Sequence, residues 1–246
     1  MRLAGLAVLL VGALVVATAG CSASADVPPP TPTMAPAPNN PPPGSPPAAS
    51  PRISVSPAGV DLPRPVVCPA AGTVLRSADE LQRALTAARP GDVIELADGP
   101  YAGNFRATAV GTAAAPIFLC GSAAAVLDAG GVKEEYVLHL DGAACWRVVG
   151  LTVRNGQKGV MADAVQHSVL QGLTVEHTGD EAVHFRRGSS DNVIRDSTVR
   201  DTGHRRAKFG EGIYLGTATS NWCTISDCQP DRSDRNAVVG NAISAT

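Results

Sequence analysis

The chain has 246 residues, of which 44% are hydrophobic and 4% aromatic, and its formal net charge at pH 7 is −2. Twenty Lys and Arg against 22 Asp and Glu leave no basic surplus, which excludes the electrostatic footprint of a nucleic-acid binder. The six cysteines form no CxxC pair and the histidines are not clustered along the chain, so the linear sequence marks no zinc site.

At the N-terminus, Arg2 precedes an uncharged apolar run, Leu3 to Val16, followed by Ala17-Thr18-Ala19-Gly20 and then Cys21. This is the layout of a secretory signal, and the run is shorter than the ~20 residues a membrane span requires. Residues 1–20 are therefore expected to be a signal peptide. Cys21 after Ala-Gly resembles a bacterial lipobox, although Thr18 stands where that motif usually has an aliphatic residue. The resemblance implies lipidation of Cys21, export, and a lipid anchor at the cell membrane facing the wall or periplasm. Residues 21–67 carry the proline runs Pro28-Pro29-Pro30, Pro41-Pro42-Pro43 and Pro46-Pro47. Apolar side chains are too sparse there to offset the entropy of ordering, so this stretch reads as a disordered, extended spacer.

Residues 68–246 form one domain by length. Ser77-Ala78-Asp79-Glu80 has the capping-box pattern, and Leu81, Ala84, Leu85 and Ala88 share one face of the helix that follows. Pro90-Gly91-Asp92 stops that helix, and Val93-Ile94-Glu95-Leu96 reads as the first strand. Ile117 to Cys120 and Val126 to Asp128 are further strands. Beyond them the chain repeats. Val148 to Gly156, Leu170 to Gly179 and Ile194 to Gly203 are short strands ending in a polar turn and a glycine, at spacings of 22 and 24. A second series starts at Val137, Val160, Val183 and Ile213, at spacings of 23, 23 and 30, the last lengthened by an insertion over residues 203–209.

Units this small cannot bury a core alone, so the period predicts an all-β solenoid of stacked parallel strands, with the helix capping its N-terminal end. Leucine-rich repeats would need a leucine and asparagine ladder that is absent, and a β-sandwich would need hairpin turns. The predicted inward face of the second series is Val137 and His139, Val160 and Ala162, Val183 and Phe185, Ile213 and Leu215, with His139 as a hydrogen-bonded core histidine.

Apart from Cys21, five cysteines remain, and export would let them oxidise. Cys223 and Cys228 are close enough to close a small loop, and the odd number leaves one thiol free or paired elsewhere. Trp222 is expected to pack that loop.

The stretch Pro90-Gly91-Asp92-Val93-Ile94-Glu95-Leu96-Ala97-Asp98-Gly99-Pro100-Tyr101, with the repeats from Tyr136 to Gly216, resembles right-handed parallel β-helix proteins of the chondroitinase B and alginate lyase type. The resemblance covers roughly Cys68 to the C-terminus. It implies β-elimination at a uronic acid, with a calcium ion neutralising the substrate carboxylate and a lysine removing the adjacent proton. The family's acidic strand and catalytic lysine would follow Arg235 to Thr246, which reads as the opening of another coil, so the β-helix is expected to be incomplete at its C-terminus and no catalytic residue is assigned. Two functions stand: binding or cleavage of an anionic polysaccharide, and a non-catalytic glycan-binding or structural protein of the envelope.

Within the chain, the residue before each strand of the second series gives a column of Glu135, Lys158, Glu181 and Glu211. It reads first as a solvated ladder balanced by Lys158. As a site, it would offer Glu181 and Glu211 to calcium or as an acid/base pair, since stacked strands lie ~4.8 Å apart and adjacent carboxylates repel. The outward face offers Asp163, His184, Arg186 and Tyr214, with Arg205 and Arg206 in the nearby insertion. His184, Arg186, Tyr214, Arg205 and Arg206 are the candidate substrate-binding residues, since arginine grips carboxylates in two places and tyrosine packs on sugar rings.

Overall fold

The computed structural model describes residues 64–246. The expected signal peptide, Cys21 and the proline runs lie outside the described residues. Val66 is already tied to the folded part: its N–H donates to Gln171 Oε1 at 2.7 Å, and its carbonyl accepts from Gln171 Nε2 at 2.8 Å. A Cys68–Cys120 disulfide follows.

The described chain coils into a solenoid of three parallel sheets. Sheet one has seven strands, from Val74–Leu75 to Ala237–Val239; sheet two has six, from Gly99–Ala102 to Ala242–Ser244. Sheet three comprises Phe105–Ala107, Tyr136–Asp141, Lys158–Asp163, Val183–Arg186 and Ile213–Leu215. Each coil visits the sheets in that order, so each strand inside a sheet pairs with its counterparts one coil before and one coil after. Val160 pairs with Val183 and Val183 with Ile213. The first series stacks Val148, Leu170 and Ile194, and Arg235 to Thr246 does open a further coil, joining sheets one and two.

Two expectations shift. Val74–Leu75 precedes Val93–Leu96 and pairs with it, so the first strand lies before the helix. In the second series, Leu138 rather than Val137 is the partner of Val160. Val137 and Leu138 are both buried, Val137 filling a corner against Gly156, where an added methyl group would strike it. One step of register exchanges the faces of a strand. Leu138 and Leu140 therefore point inward, and His139 is partly exposed on the outer face rather than in the core, its Nε2–H donating to the Asp163 carboxylate. For the same reason Tyr136, not Glu135, stands beside Lys158.

The helix Ala78–Ala87 begins as the sequence predicts: Ser77 Oγ accepts from Glu80 N–H, and the Glu80 side chain accepts from Ser77 N–H. Leu81 and Leu85 are buried, with Ala84 and Ala88 packed beside them, closing the end of the core. Tyr101 of the Pro-Gly-Asp motif is buried, its hydroxyl 2.7 Å from Leu75 O and 2.9 Å from Ala97 O, which ties the first coil together.

The corners need left-handed backbone. Gly150 and Gly172 supply it between sheets one and two (φ +85° and +62°). Between sheets two and three the same conformation falls on Asn155, His177 and Asp201. Where sheet three turns back to sheet one, buried polar side chains satisfy the corner. Asn192 Oδ1 accepts from Ser168 N–H at 2.9 Å, and its Nδ2 donates to Val165 O at 2.9 Å and to Asn236 Oδ1 at 3.0 Å. Replacing Asn192 with Ala leaves the buried Ser168 N–H without its partner and removes one of the two donors to Val165 O, which keeps Ser190 N–H, so stability falls by about 1–3 kcal/mol. The urea midpoint drops with little change in slope, whereas Arg200→Ala, which removes a surface pair with Glu176, stays within about 1 kcal/mol of the parent.

Candidate functional site

The outer face of sheet three gathers charge. Because strands stack in register, three columns form: alternation within the strands turns two of them outward, and the other stands just before the corner where Gly159 and Ala182 face the core beside Val160 and Val183. One runs Tyr136, Lys158, Glu181, Glu211; the next His139, Met161, His184, Tyr214; the third Asp141, Asp163, Arg186. Two insertions in the last coil that carries a sheet-three strand turn this flat face into a cleft. One, between sheets two and three, holds the turn Ala207–Phe209; the other, after Leu215, holds Thr219–Asn221 and Trp222–Ile225. The cleft has a volume of about 350 Å³, with Lys158, Glu181, His184, Arg186 and Tyr214 at its base and Lys208, Phe209, Asn221 and Ile225 among its walls. A second, more open hollow of about 430 Å³ continues past Arg186, Thr224 and Ile225 toward Arg187.

The base is a buried cluster. Lys158 Nζ lies 2.8 Å from both carboxylate oxygens of Glu181, donating to Oε1 in good geometry. Oε2 is out of line for a hydrogen bond and, although buried, has no other protein partner. Lys158 Nζ also lies 3.1 Å from His184 Nδ1, while His184 Nε2 lies 2.8 Å from Gly216 O. A carbonyl only accepts, so Nε2 carries the proton and Nδ1 accepts from the ammonium. Burial, and then the Lys158 charge, push the His184 pKa down to about 4, so the imidazole is neutral at pH 7. Burial pushes the Lys158 ammonium below its ordinary value, with the Glu181 carboxylate pulling the other way. Tyr214 stacks on His184, with ring centroids 4.4 Å apart, and burial followed by the Glu211 charge raises its hydroxyl, which stays protonated.

Beside this cluster, Asp163 takes Arg186 Nε at 2.6 Å and His139 Nε2 at 2.9 Å. Burial opposes ionisation of Asp163, but the hydrogen bonds from His139 and Arg186 outweigh it and hold the carboxyl well below the usual range. Asp163 is thus a buried anchor for Arg186 rather than an open surface group.

Of the residues predicted to bind substrate, His184, Arg186 and Tyr214 meet in the cleft. Arg205 and Arg206 do not line it. Asp180, buried below the insertion, draws both in: Arg205 pairs with it closely and Arg206 lies 3.5 Å from it. Arg206 also covers the Phe209 ring at 4.6 Å. Lys208, two residues on, is the basic group of the insertion that lines the cleft.

Glu181 and Glu211 are coil neighbours as predicted, but Glu181 spends its charge on Lys158 and Glu211 is exposed. Calcium takes six to eight oxygen ligands, and here an ammonium already sits 2.8 Å from both Glu181 oxygens. This donor set does not fit a calcium ion. Lys158, which in sequence stands only as a charge balance between glutamates, lies buried at the base of the cleft. Its signal was a lysine in line with two glutamates, whose burial no linear pattern reveals. Cys223 and Cys228 form a disulfide within the second insertion, where Trp222 Nε1 donates to Thr217 O at 2.8 Å and so packs its own loop.

No family model matches the chain, and no curated protein matches it. Among solved structures it is similar to the crystal structure of an alginate lyase from Paenibacillus sp. str. FPU-7, with 40% sequence identity and a TM-score of 0.66. The match covers 69% of this chain and 57% of that one, so the chain spans little more than half the length of that lyase.

The neutral His184 links the site to stability. Its unfolded pKa is about 6.5 and its folded value about 4, so between these pH values only the unfolded chain takes up the proton. Stability attributable to this group is full above about pH 6.5, falls on acidification, and levels off below about pH 4. The loss is at most about 3 kcal/mol. Urea denaturation of the parent and of His184→Gln across this range should show their stability difference narrowing as pH falls. A difference constant with pH would mean that His184 is not held neutral.

Proposed function

We propose that this protein binds an anionic, uronic-acid-containing polysaccharide on the outer face of sheet three and cleaves it by β-elimination. The observation that carries the reading is Lys158, buried at the base of an open cleft against a neutral imidazole and a protonated tyrosine. Likeness to an alginate lyase at 40% identity supports the same chemistry.

In this reading Arg186, held by Asp163, and Lys208 receive the substrate carboxylate. Lys158 in its amine form removes the proton at C5, and burial, which lowers its pKa, favours that form. The electron pair passes through the carboxylate-stabilised carbanion to form the C4–C5 double bond, and the C4–O bond breaks. Tyr214 gives its proton to the leaving oxygen and regains one from the Lys158 ammonium through solvent. His184 positions Lys158 from one side and supports the Tyr214 ring from the other.

The apolar run Leu3 to Val16 and Cys21 support export and a lipid anchor as the setting for this activity. A specific observation also favours a binding-only reading: Glu181 holds Lys158 in an ion pair, which opposes loss of its proton.

Incubating the full chain with polymannuronate, polyguluronate, pectate and chondroitin separates the two, since β-elimination yields products that absorb in the ultraviolet. Absorbance should rise with at least one polymer, and Lys158→Arg, which keeps the buried charge, should slow the rise by about 10²–10⁴-fold. Retention of a polymer without absorbance would establish the binding-only reading. A rate unchanged in Lys158→Arg would remove Lys158 from the reaction.

A further inference from the structure

We propose that His177, Asp201 and His204 form a binding site for a transition-metal ion of the zinc class, which clamps the cleft-lining insertion to the solenoid. The site lies at the corner between sheets two and three, apart from the Lys158 cluster, and the inference does not rest on the proposed reaction.

The three side chains come from separate places. His177 and Asp201 occupy the same corner position on successive coils, both in the left-handed conformation, at φ 51° and 58°. The ladder fixes them: Asn155 N–H donates to His177 O at 3.1 Å, and Thr178 N–H to Asp201 O at 3.2 Å. His204 belongs to the insertion and is anchored by its own N–H on Thr178 O at 3.1 Å. The side chains converge. His177 Nδ1 lies 2.9 Å from Asp201 Oδ2, His204 Nε2 lies 2.7 Å from Asp201 Oδ1, and the two ring centroids are 4.2 Å apart. One ligand atom from each residue falls within 4.8 Å of the other two, and all three groups are open to solvent.

Two imidazole nitrogens and one carboxylate oxygen match the donors of borderline-soft divalent ions, with a water completing a tetrahedral set. Metal–ligand bonds of about 2.0–2.2 Å put ligand atoms roughly 3.3 Å apart, so each would withdraw by about half an ångström from its present hydrogen bond. Side-chain rotation supplies that while the backbone stays in place. Among the described residues, the other grouping of this kind, His139, Asp141 and Asp163, is already engaged by Arg186 and Arg106.

The consequence reaches the cleft. Lys208 and Phe209, four and five residues beyond His204, form part of its wall. An ion joining His204 to the coil corner would hold that wall in place.

The test is calorimetric titration of the metal-stripped full chain with ZnCl2, with Co²⁺ spectra as a second readout. One equivalent should bind, with a Co²⁺ visible band typical of nitrogen and oxygen ligands, and excess Ca²⁺ should not compete. His204→Ala, in an exposed insertion, and His177→Ala should each weaken binding at least tenfold, and Zn²⁺ should raise the melting temperature of the parent but not of His204→Ala. Absence of saturable one-equivalent binding, or binding undiminished in both variants, would overturn the proposal.

Discussion

The parallel register of sheet three is the constraint on which the site depends. The ladder through Leu138, Val160, Val183 and Ile213 puts apolar side chains on one face and, by alternation, puts His184, Arg186 and Tyr214 on the other, while the corner just before it, where Gly159 and Ala182 also face the core, turns Lys158 and Glu181 to the outer side. Residues 20 to 60 positions apart in sequence become neighbours because each backbone N–H and C=O has one partner on the next coil. No local loop could hold Lys158 Nζ, a Glu181 carboxylate and a His184 ring within about hydrogen-bond distance with such economy of contacts.

Much of this was legible in the sequence, and the reason is periodicity. Val160, Val183 and Ile213 recur at near-constant intervals, so their alignment needed only the spacing. The Pro-Gly-Asp stop, the capping box and the insertion after Thr202 were legible because glycine, proline and capping side chains act locally. The slip at Val137 has an equally plain cause. Val137 and Leu138 are both buried, one filling a corner and the other joining the ladder, and a two-residue period cannot choose between adjacent apolar residues. That single step carried His139 from the predicted core to the outer face. The site was less legible because burial of a charge is a tertiary property: Lys158 and Glu181 look like surface residues in sequence, and Asp180 draws Arg205 and Arg206 away from the cleft they adjoin.

Burying this many charges opposes stability, and the pairs reveal how the fold tolerates it. Asp163 is enclosed by Arg186 and His139, and Lys158 is held by Glu181 with His184 as a neutral acceptor. Removing one member of such a pair leaves the other desolvated, which is why buried pairs resist substitution even where the pair adds little net stability. Asp163 and Glu181 differ in one respect. The first has cationic or hydrogen-bonding partners on both oxygens, whereas the second keeps an oxygen without a hydrogen bond at the base of an open cleft.

The face alone would still be a poor site, because a flat parallel sheet offers neither concavity nor protection from water. Both insertions fall in the coil that carries Tyr214, one on each side of its strand, so the walls rise where the buried cluster lies. Each is pinned by an acidic residue facing inward: Asp180 holds the first through Arg205, and Asp231 holds the second by accepting from Thr217 Oγ1 at 2.6 Å and from the Arg187 and Gly188 N–H groups at 2.9 and 2.8 Å. The solenoid therefore sets the positions of the reactive groups, while loops stapled to it set the shape above them. In the proposed function, variation in those loops would change which polymer fits without disturbing Lys158, Glu181 and His184.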